Sequence, residues 1–258
     1  MLLLSHTPLS IIFAISLVLI LGVGEFGYWI GLREGTKARS DISVIESSAL
    51  GLLALMIGFT FAMSLERFDA RRDALLEEAN TIGTAALRAR LLPAPHNSET
   101  LDLLREYVKI RTDISQRVVP LAELNAAIEH SNNVQKKLWQ QARAVAAKDT
   151  GMVPTGLFIQ ALNEMFDAQG KRVAAGVNRV PMIVLLALYA IAAVSSGFTG
   201  YQGGIANDRT RWPRYVMGMV VAGVILLIQD LDRPNTGFIH VSQRPMQDVA
   251  KSLEGYRD

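Results

Sequence analysis

Three sets of residues in this chain could act on ions: an apolar row, a group of cations beyond it, and isolated acids beside apolar blocks. The row is Gly51, Leu55 and Phe59, spaced every fourth residue inside the uncharged stretch Ser47–Leu65, SSALGLLALMIGFTFAMSL. Residues four apart share one side of a helix. In a symmetric ring of helices such a row could face a central axis, where apolar side chains gate by dewetting. In a lone helix the same row faces lipid or packs on a neighbour, and the row alone leaves these readings open. Arg67, Arg71 and Arg72 follow and could attract anions to a pore mouth, while Glu66, Asp69 and Asp73 nearly cancel them. Glu25 sits near the inner limit of the first apolar block, and a carboxylate at membrane depth is a functional candidate. Its simpler reading is an interfacial Glu beside Tyr28 and Trp29, which have the chemistry of headgroup anchors. Asp230 and Asp232 could ligate a cation in an oligomer, but a charged turn ending a helix is the simpler account.

Other chemistry is missing. His6, His96, His130 and His240 have no metal-ligand spacing. The chain has 0 Cys, which excludes a disulfide framework, thiol catalysis and a Cys-based zinc site. There is no P-loop, HExxH or GxSxG pattern. Gly22-Val-Gly24-Glu-Phe-Gly27 formally fits a dinucleotide fingerprint, but no strand–turn–helix unit surrounds it. Glu77 and Glu78 read as a solvated helix face. No enzyme and no cofactor are expected, and the only metal candidates are Asp230 and Asp232. A formal charge of +2 with no basic stripe argues against a nucleic-acid partner.

The elements that must hold these residues are legible from hydropathy. Half of the chain, 50%, is apolar, more than is usual for a soluble domain. The apolar residues gather in four blocks, Pro8–Leu32, Ser47–Leu65, Val180–Gly200 and Tyr215–Leu231. A helical crossing needs about 20 such residues. The last block is short between Arg214 and Asp230, so a charge must snorkel or the bilayer must thin. The first lacks a basic n-region and a clear cleavage site, and reads as a retained transmembrane helix. Gly27 and Gly31 within it suit close helix packing, as do Gly51, Ala54, Gly58 and Ala62 in the second block.

Beyond Leu65 the chain runs without Pro into ERFDARRDALLEEANTIGTAALRAR. Glu46–Arg90 is therefore expected as one rod, roughly 60 Å or more long, leaving the bilayer for water. Phe68, Leu75, Ala79, Ile82 and Ala86 form its core-facing stripe. The prolines of Leu92–Pro95 end it. Asn97 or Ser98 then caps a helix carrying Leu101, Leu104, Val108, Ile114 and Val118, interrupted at Pro120. Another, about Leu121–Lys148, offers Leu124, Ile128, Leu138, Ala142 and Val145. After a turn at Asp149–Gly151, Pro154 opens a helix with Leu157, Phe158, Ala161, Leu162, Met165 and Phe166. The third membrane block ends in a Gly-rich loop, Gly197–Gly204, and Arg209, Arg211, Trp212 and Arg214 mark an interface. The tail from Asn235 packs on the helical domain.

The expected fold is all-α and integral to the membrane. Transmembrane helices 1 and 2 fall in 1–65, and a cytoplasmic helical domain in 66–179 is continuous with the second and third. Helices 3 and 4 fall in 180–232, with a cytoplasmic tail in 233–258. Both termini share a side with Arg67, Arg71, Arg72, Lys171, Arg172, Arg179, Arg233 and Arg244. The other side has Arg33, Lys37, Arg39, Arg209, Arg211 and Arg214, a bias that favours a cytoplasmic domain.

A resemblance sharpens this picture. Gly58-Phe59, followed nine residues after the Gly by Arg67-Phe68, resembles the end of the second transmembrane helix of bestrophins. The runs Gly58-Phe-Thr-Phe-Ala-Met-Ser-Leu-Glu-Arg-Phe-Asp-Ala-Arg-Arg72, Glu77-Glu-Ala-Asn-Thr-Ile-Gly-Thr84 and Leu91-Leu-Pro93 resemble the bestrophin-like family of bacterial membrane proteins. So do Asp230-Leu-Asp-Arg-Pro234, Gly237 and Val241-Ser-Gln-Arg-Pro245. The resemblance implies a homo-oligomeric, pentameric ion channel of the bacterial inner membrane, mostly anion-conducting, whose partners are lipid and small inorganic ions. It implies a hydrophobic neck on the second helix, with Phe59 at a neck phenylalanine and Leu55 and Gly51 at the two positions above. Gly51 departs from the family, since it makes a wide constriction. The acidic calcium-binding run of animal bestrophins is not reproduced. The competing reading is a non-conducting, membrane-anchored helical scaffold or sensor with a cytoplasmic partner.

Overall fold

No proline falls between Asp41 and Ala89, and that whole stretch is one helix of 49 residues. It is α2 of the computed structural model, which describes residues 7–34, 41–115, 121–208, 210–234 and 237–256. Around it in the chain are α1 (Leu9–Glu34), α3 (His96–Ser115), α4 (Leu121–Ala146) and α5 (Leu157–Val177). They are followed by α6 (Met182–Ile205), α7 (Trp212–Asp232) and α8 (Arg244–Gly255), with a π turn at Met152–Gly156 before α5. Among the described residues there is no strand, as expected for an all-α chain. Among the described residues, four stretches are long and apolar enough to cross a membrane: Leu9–Glu34, Ile42–Ala89, Met152–Ile205 and Trp212–Asp232. His6, Lys37, Arg39, Val118, Pro120, Arg209 and the side chain of Ile114 lie outside the described residues.

The chain divides into two compact units, one of Met1–Phe68 with Arg179–His240 and one of Asp69–Asn178 with Val241–Asp258. The first holds α1, α6, α7 and the first part of α2 around Ile20, Leu53, Leu188, Ala192, Ala222, Ile225 and Ile228. Its tightest contact is between α1 and α6. A Cβ added to Gly27 would overlap the Gly197 carbonyl oxygen, and one on Gly31 the Tyr201 carbonyl oxygen. From the other side, Gly200 meets the Gly24 carbonyl and Gly204 the Tyr28 carbonyl. The two backbones touch, and only hydrogen fits between them. Ser196 Oγ donates to the Ile20 carbonyl across the same contact at 2.7 Å.

This contact corrects the expectation of a Gly-rich loop at Gly197–Gly204. Glycine lowers helix propensity by about 1 kcal/mol per residue, which favoured a loop reading. Close backbone packing outweighs that here, and the helix runs on to Ile205. The packing role expected of Gly27 and Gly31 is what the structure shows.

The second unit buries the stripe of α2, with Leu75, Ala79, Ile82 and Ala86 at 2% exposure or less. Leu101, Leu104, Leu138, Phe158 and Leu162 complete its core, and Met246 and Leu253 seat α8 there, so the tail packs as expected. Two local expectations shift. Helix α3 begins at His96, with Asn97 and Ser98 inside its first turn. Pro154 falls in the π turn rather than in α5.

Glu78 contradicts the solvated-face reading. Its side chain is 0% exposed and accepts from Arg111 Nε at 2.7 Å. Arg111 Nη2 and Arg172 Nη1 donate to its other oxygen. The Tyr107 hydroxyl lies 3.1 Å from Glu78 Oε1 and 2.6 Å from Gln169 Oε1, where Gln135 Nε2 also donates. Burial, then the Glu78 charge, pushes the Tyr107 phenol far above its ordinary range, so it remains a donor. Glu77 does behave as expected: it is solvent-facing and 2.7 Å from Lys171 Nζ.

Three substitutions test this packing by thermal unfolding in detergent. Gly200→Leu forces the α1 and α6 backbones apart and should destabilise by on the order of 3 kcal/mol. Gly223→Ala, where a Cβ meets nothing within 4 Å, should hold or raise the midpoint, not lower it. Glu78→Gln strands buried guanidinium groups and should destabilise by about 3–5 kcal/mol.

Candidate pore-lining face

Within the first unit α2 has two unlike sides. Leu53, Thr60 and Ser64 are buried, at 5%, 0% and 0% exposure. Leu55 and Phe59 are 53% and 61% exposed. Gly51, Ala54, Gly58 and Ala62 are exposed beside them, and a Cβ at Gly51 or Gly58 would meet nothing within 4 Å. The row Gly51, Leu55 and Phe59 therefore faces away from the chain's own helices. It is a smooth apolar surface that lipid or another copy must cover.

Each residue of a helix advances about 100°. Continued along α2, the side that bears Leu55 and Phe59 passes through Ala62, Glu66, Asp69 and Asp73, all exposed. Arg71, 7% exposed, falls toward the opposite side, and Arg67, half-buried, lies on one flank. Arg72 is exposed but lies on a flank. The structure does not gather the three arginines on one face; the charges continuing the apolar row are acidic. Spacing on a helical wheel carries this signal, although a tally of nearby charges hides it.

The remaining candidates are engaged within the protein. Asp230 is 3% exposed; its Oδ1 accepts from Phe238 N at 2.8 Å and its Oδ2 from Ile239 N at 3.0 Å. Asp232 Oδ1 accepts from Val180 N at 2.8 Å, holding the chain just before α6. Among the described residues no group of three or more His, Asp or Glu could hold a metal ion. Glu25 accepts from the Tyr215 hydroxyl at 2.9 Å and Arg211 Nη1 at 3.3 Å. Tyr28 is not the headgroup anchor expected of it. It is 3% exposed, donates to the Asp208 carbonyl at 3.1 Å, and carries the guanidinium carbons of Arg211 and Arg214 at 4.5 and 4.4 Å from its ring centre. Trp29, by contrast, is 56% exposed.

One polar thread was not anticipated. Ser16 Oγ lies 2.7 Å from the Tyr189 hydroxyl, to which Gln229 Nε2 also donates at 2.7 Å. It links α1, α6 and α7 in the interior of the first unit, where an unpaired polar group would be expensive.

The Bestrophin-like domain family matches residues 12–246, and the chain belongs to that family. Among solved structures it is similar to a bacterial bestrophin homolog from Klebsiella pneumoniae. An aspartate-to-alanine variant of that homolog shares 14% identity over 95% of this chain and 97% of that one, with a TM-score of 0.71. A tyrosine-to-alanine variant shares 14% identity over 93% and 98%, with a TM-score of 0.67. These likenesses establish a shared fold. A search of curated proteins finds no match.

The role of Asp230 is open to direct test. Asp230→Ala leaves two backbone N–H groups without their acceptor and should lower stability by about 1–3 kcal/mol. Calcium titrated into the unaltered protein should leave its unfolding midpoint in place. A calcium-dependent rise abolished by the substitution would assign Asp230 to a metal instead.

Proposed function

We propose that this chain is the subunit of a homo-oligomeric ion channel in the bacterial inner membrane, with Gly51, Leu55 and Phe59 of α2 forming its neck. The carrying observation is the uncovered side of α2, whose largest apolar residues face out of the subunit. Around a symmetry axis, Phe59 and Leu55 form stacked apolar rings that wet and dewet, and Gly51 widens the entrance above them. Membership of the Bestrophin-like family supports the assembly, and five copies follow from the resemblance. In this reading residues 1–65 and 180–232 lie in the bilayer, while 66–179 and 233–258 lie in the cytoplasm.

The resemblance implied anions. The face below Phe59 supports the opposite preference, because Glu66, Asp69 and Asp73 continue the neck while Arg67 and Arg71 turn away. Rings of carboxylates concentrate cations at a pore mouth. The reading is therefore a cation-preferring pore.

Recordings in planar bilayers under a KCl gradient test it. The reversal potential should lie toward that of potassium, and Glu66→Gln combined with Asp73→Asn should move it toward zero. Phe59→Ala should raise the current several-fold. A reversal potential at that of chloride would overturn the ion preference. A verified oligomer with no conductance would favour a membrane-anchored scaffold binding a cytoplasmic partner.

A further inference from the structure

Within the first unit a cavity of about 50 Å³ opens between the middle of α1, the early turns of α2 and α7, and the second half of α6. It is lined chiefly by apolar groups, including Ile20, Leu21, Leu53 and Val221, with Arg214 and Thr199 also in its wall. Two donors there stand out. Arg214 Nη2 and Thr199 Oγ1 are buried and have no hydrogen-bond partner among the described residues. Buried polar groups are nearly always satisfied, so an orphan pair beside one cavity calls for a physical cause.

The local charges name the class of ligand. Glu25, which also lines the cavity, is balanced by Arg211 and the Tyr215 hydroxyl. Arg214 stacks on Tyr28 and donates weakly to the Gly200 carbonyl at 3.4 Å, contacts that leave its charge uncompensated. The neighbouring hydroxyls are spoken for: Ser195 Oγ donates to the Ala49 carbonyl at 3.0 Å and Ser196 Oγ to the Ile20 carbonyl at 2.7 Å. What remains is one positive charge, an N–H and an O–H beside the cavity.

We propose that this cavity is a binding site for a small monovalent anion, held by Arg214 and Thr199 away from the α2 pore face. A lone guanidinium in an apolar wall is costly, and a bound anion offsets that cost. Apolar walls cannot replace a tight hydration shell, so weakly hydrated anions such as bromide and iodide are favoured over fluoride. The bound anion would tie α7 to α6 and make the stability of the bundle depend on the anion supplied.

The test uses the full-length protein in detergent, with bromide against gluconate at equal ionic strength. Crystals grown in bromide should show an anomalous peak beside Arg214 Nη2 and Thr199 Oγ1. Thermal stability should rise with bromide, and Arg214→Gln and Thr199→Val should each weaken the apparent affinity at least tenfold. If Arg214→Gln fails to fold, Thr199→Val and the anomalous map decide. No peak in the cavity, lipid phosphate in its place, or equal bromide response in the Thr199→Val protein would overturn the proposal. None of these readouts requires current, so the channel reading stands or falls separately.

Discussion

A helix of 49 residues is about 73 Å long at 1.5 Å per residue, and a chain of this size cannot cover all of it. The sequence of α2 decides which part stays bare. Leu53, Thr60 and Ser64 turn toward the other helices of the first unit, and Leu75, Ala79 and Ile82 turn into the core of the second. What is left over is a side made of small residues, two large apolar ones and then acids. Small residues allow neighbouring backbones to come close, while Leu55 and Phe59 supply bulk at one level. In the proposed channel, assembly, gating and ion preference all depend on what meets that side.

The other helices of the first unit are joined to one another by contacts more specific than apolar packing. Glycines on α1 and α6 bring those backbones into contact, which no side chain substitution can imitate. Ser195 Oγ donates to the Ala49 carbonyl of α2 at 3.0 Å, joining α2 to α6. The Ser16–Tyr189–Gln229 thread adds direction to a bundle whose other contacts are apolar. Apolar packing alone tolerates rotation; hydrogen bonds in a dry interior do not.

Hydropathy and periodicity made the helices legible, because a bilayer and a helical core both impose repeating apolar patterns. The long rod, the four apolar stretches, and the stripes of α3 to α5 followed from those patterns. The errors fell where one residue type serves two physical roles. Glycine after Gly197 breaks helices in water but lets them touch in a membrane bundle. Glu78 sits one residue from exposed Glu77, and adjacent positions on a helix differ by about 100°. Its partners Arg111 and Arg172 lie 33 and 94 residues away along the chain, beyond any local pattern. The row Gly51, Leu55 and Phe59 was legible as spacing, whereas its exposure required the folded chain. Likewise Tyr28 reads as an anchor until two arginines from the start of α7 close over it.

The claim that α2 turns its bare side to a water-filled axis shared by several copies has one direct test. The chain contains 0 Cys, so a single Leu55→Cys substitution carries the only thiol. In the purified, reconstituted oligomer, oxidation should link neighbouring copies through that position, and a membrane-impermeant thiol reagent should reach it from water. Labelling confined to lipid-soluble reagents, with no link between copies, would place Leu55 against acyl chains and contradict the account.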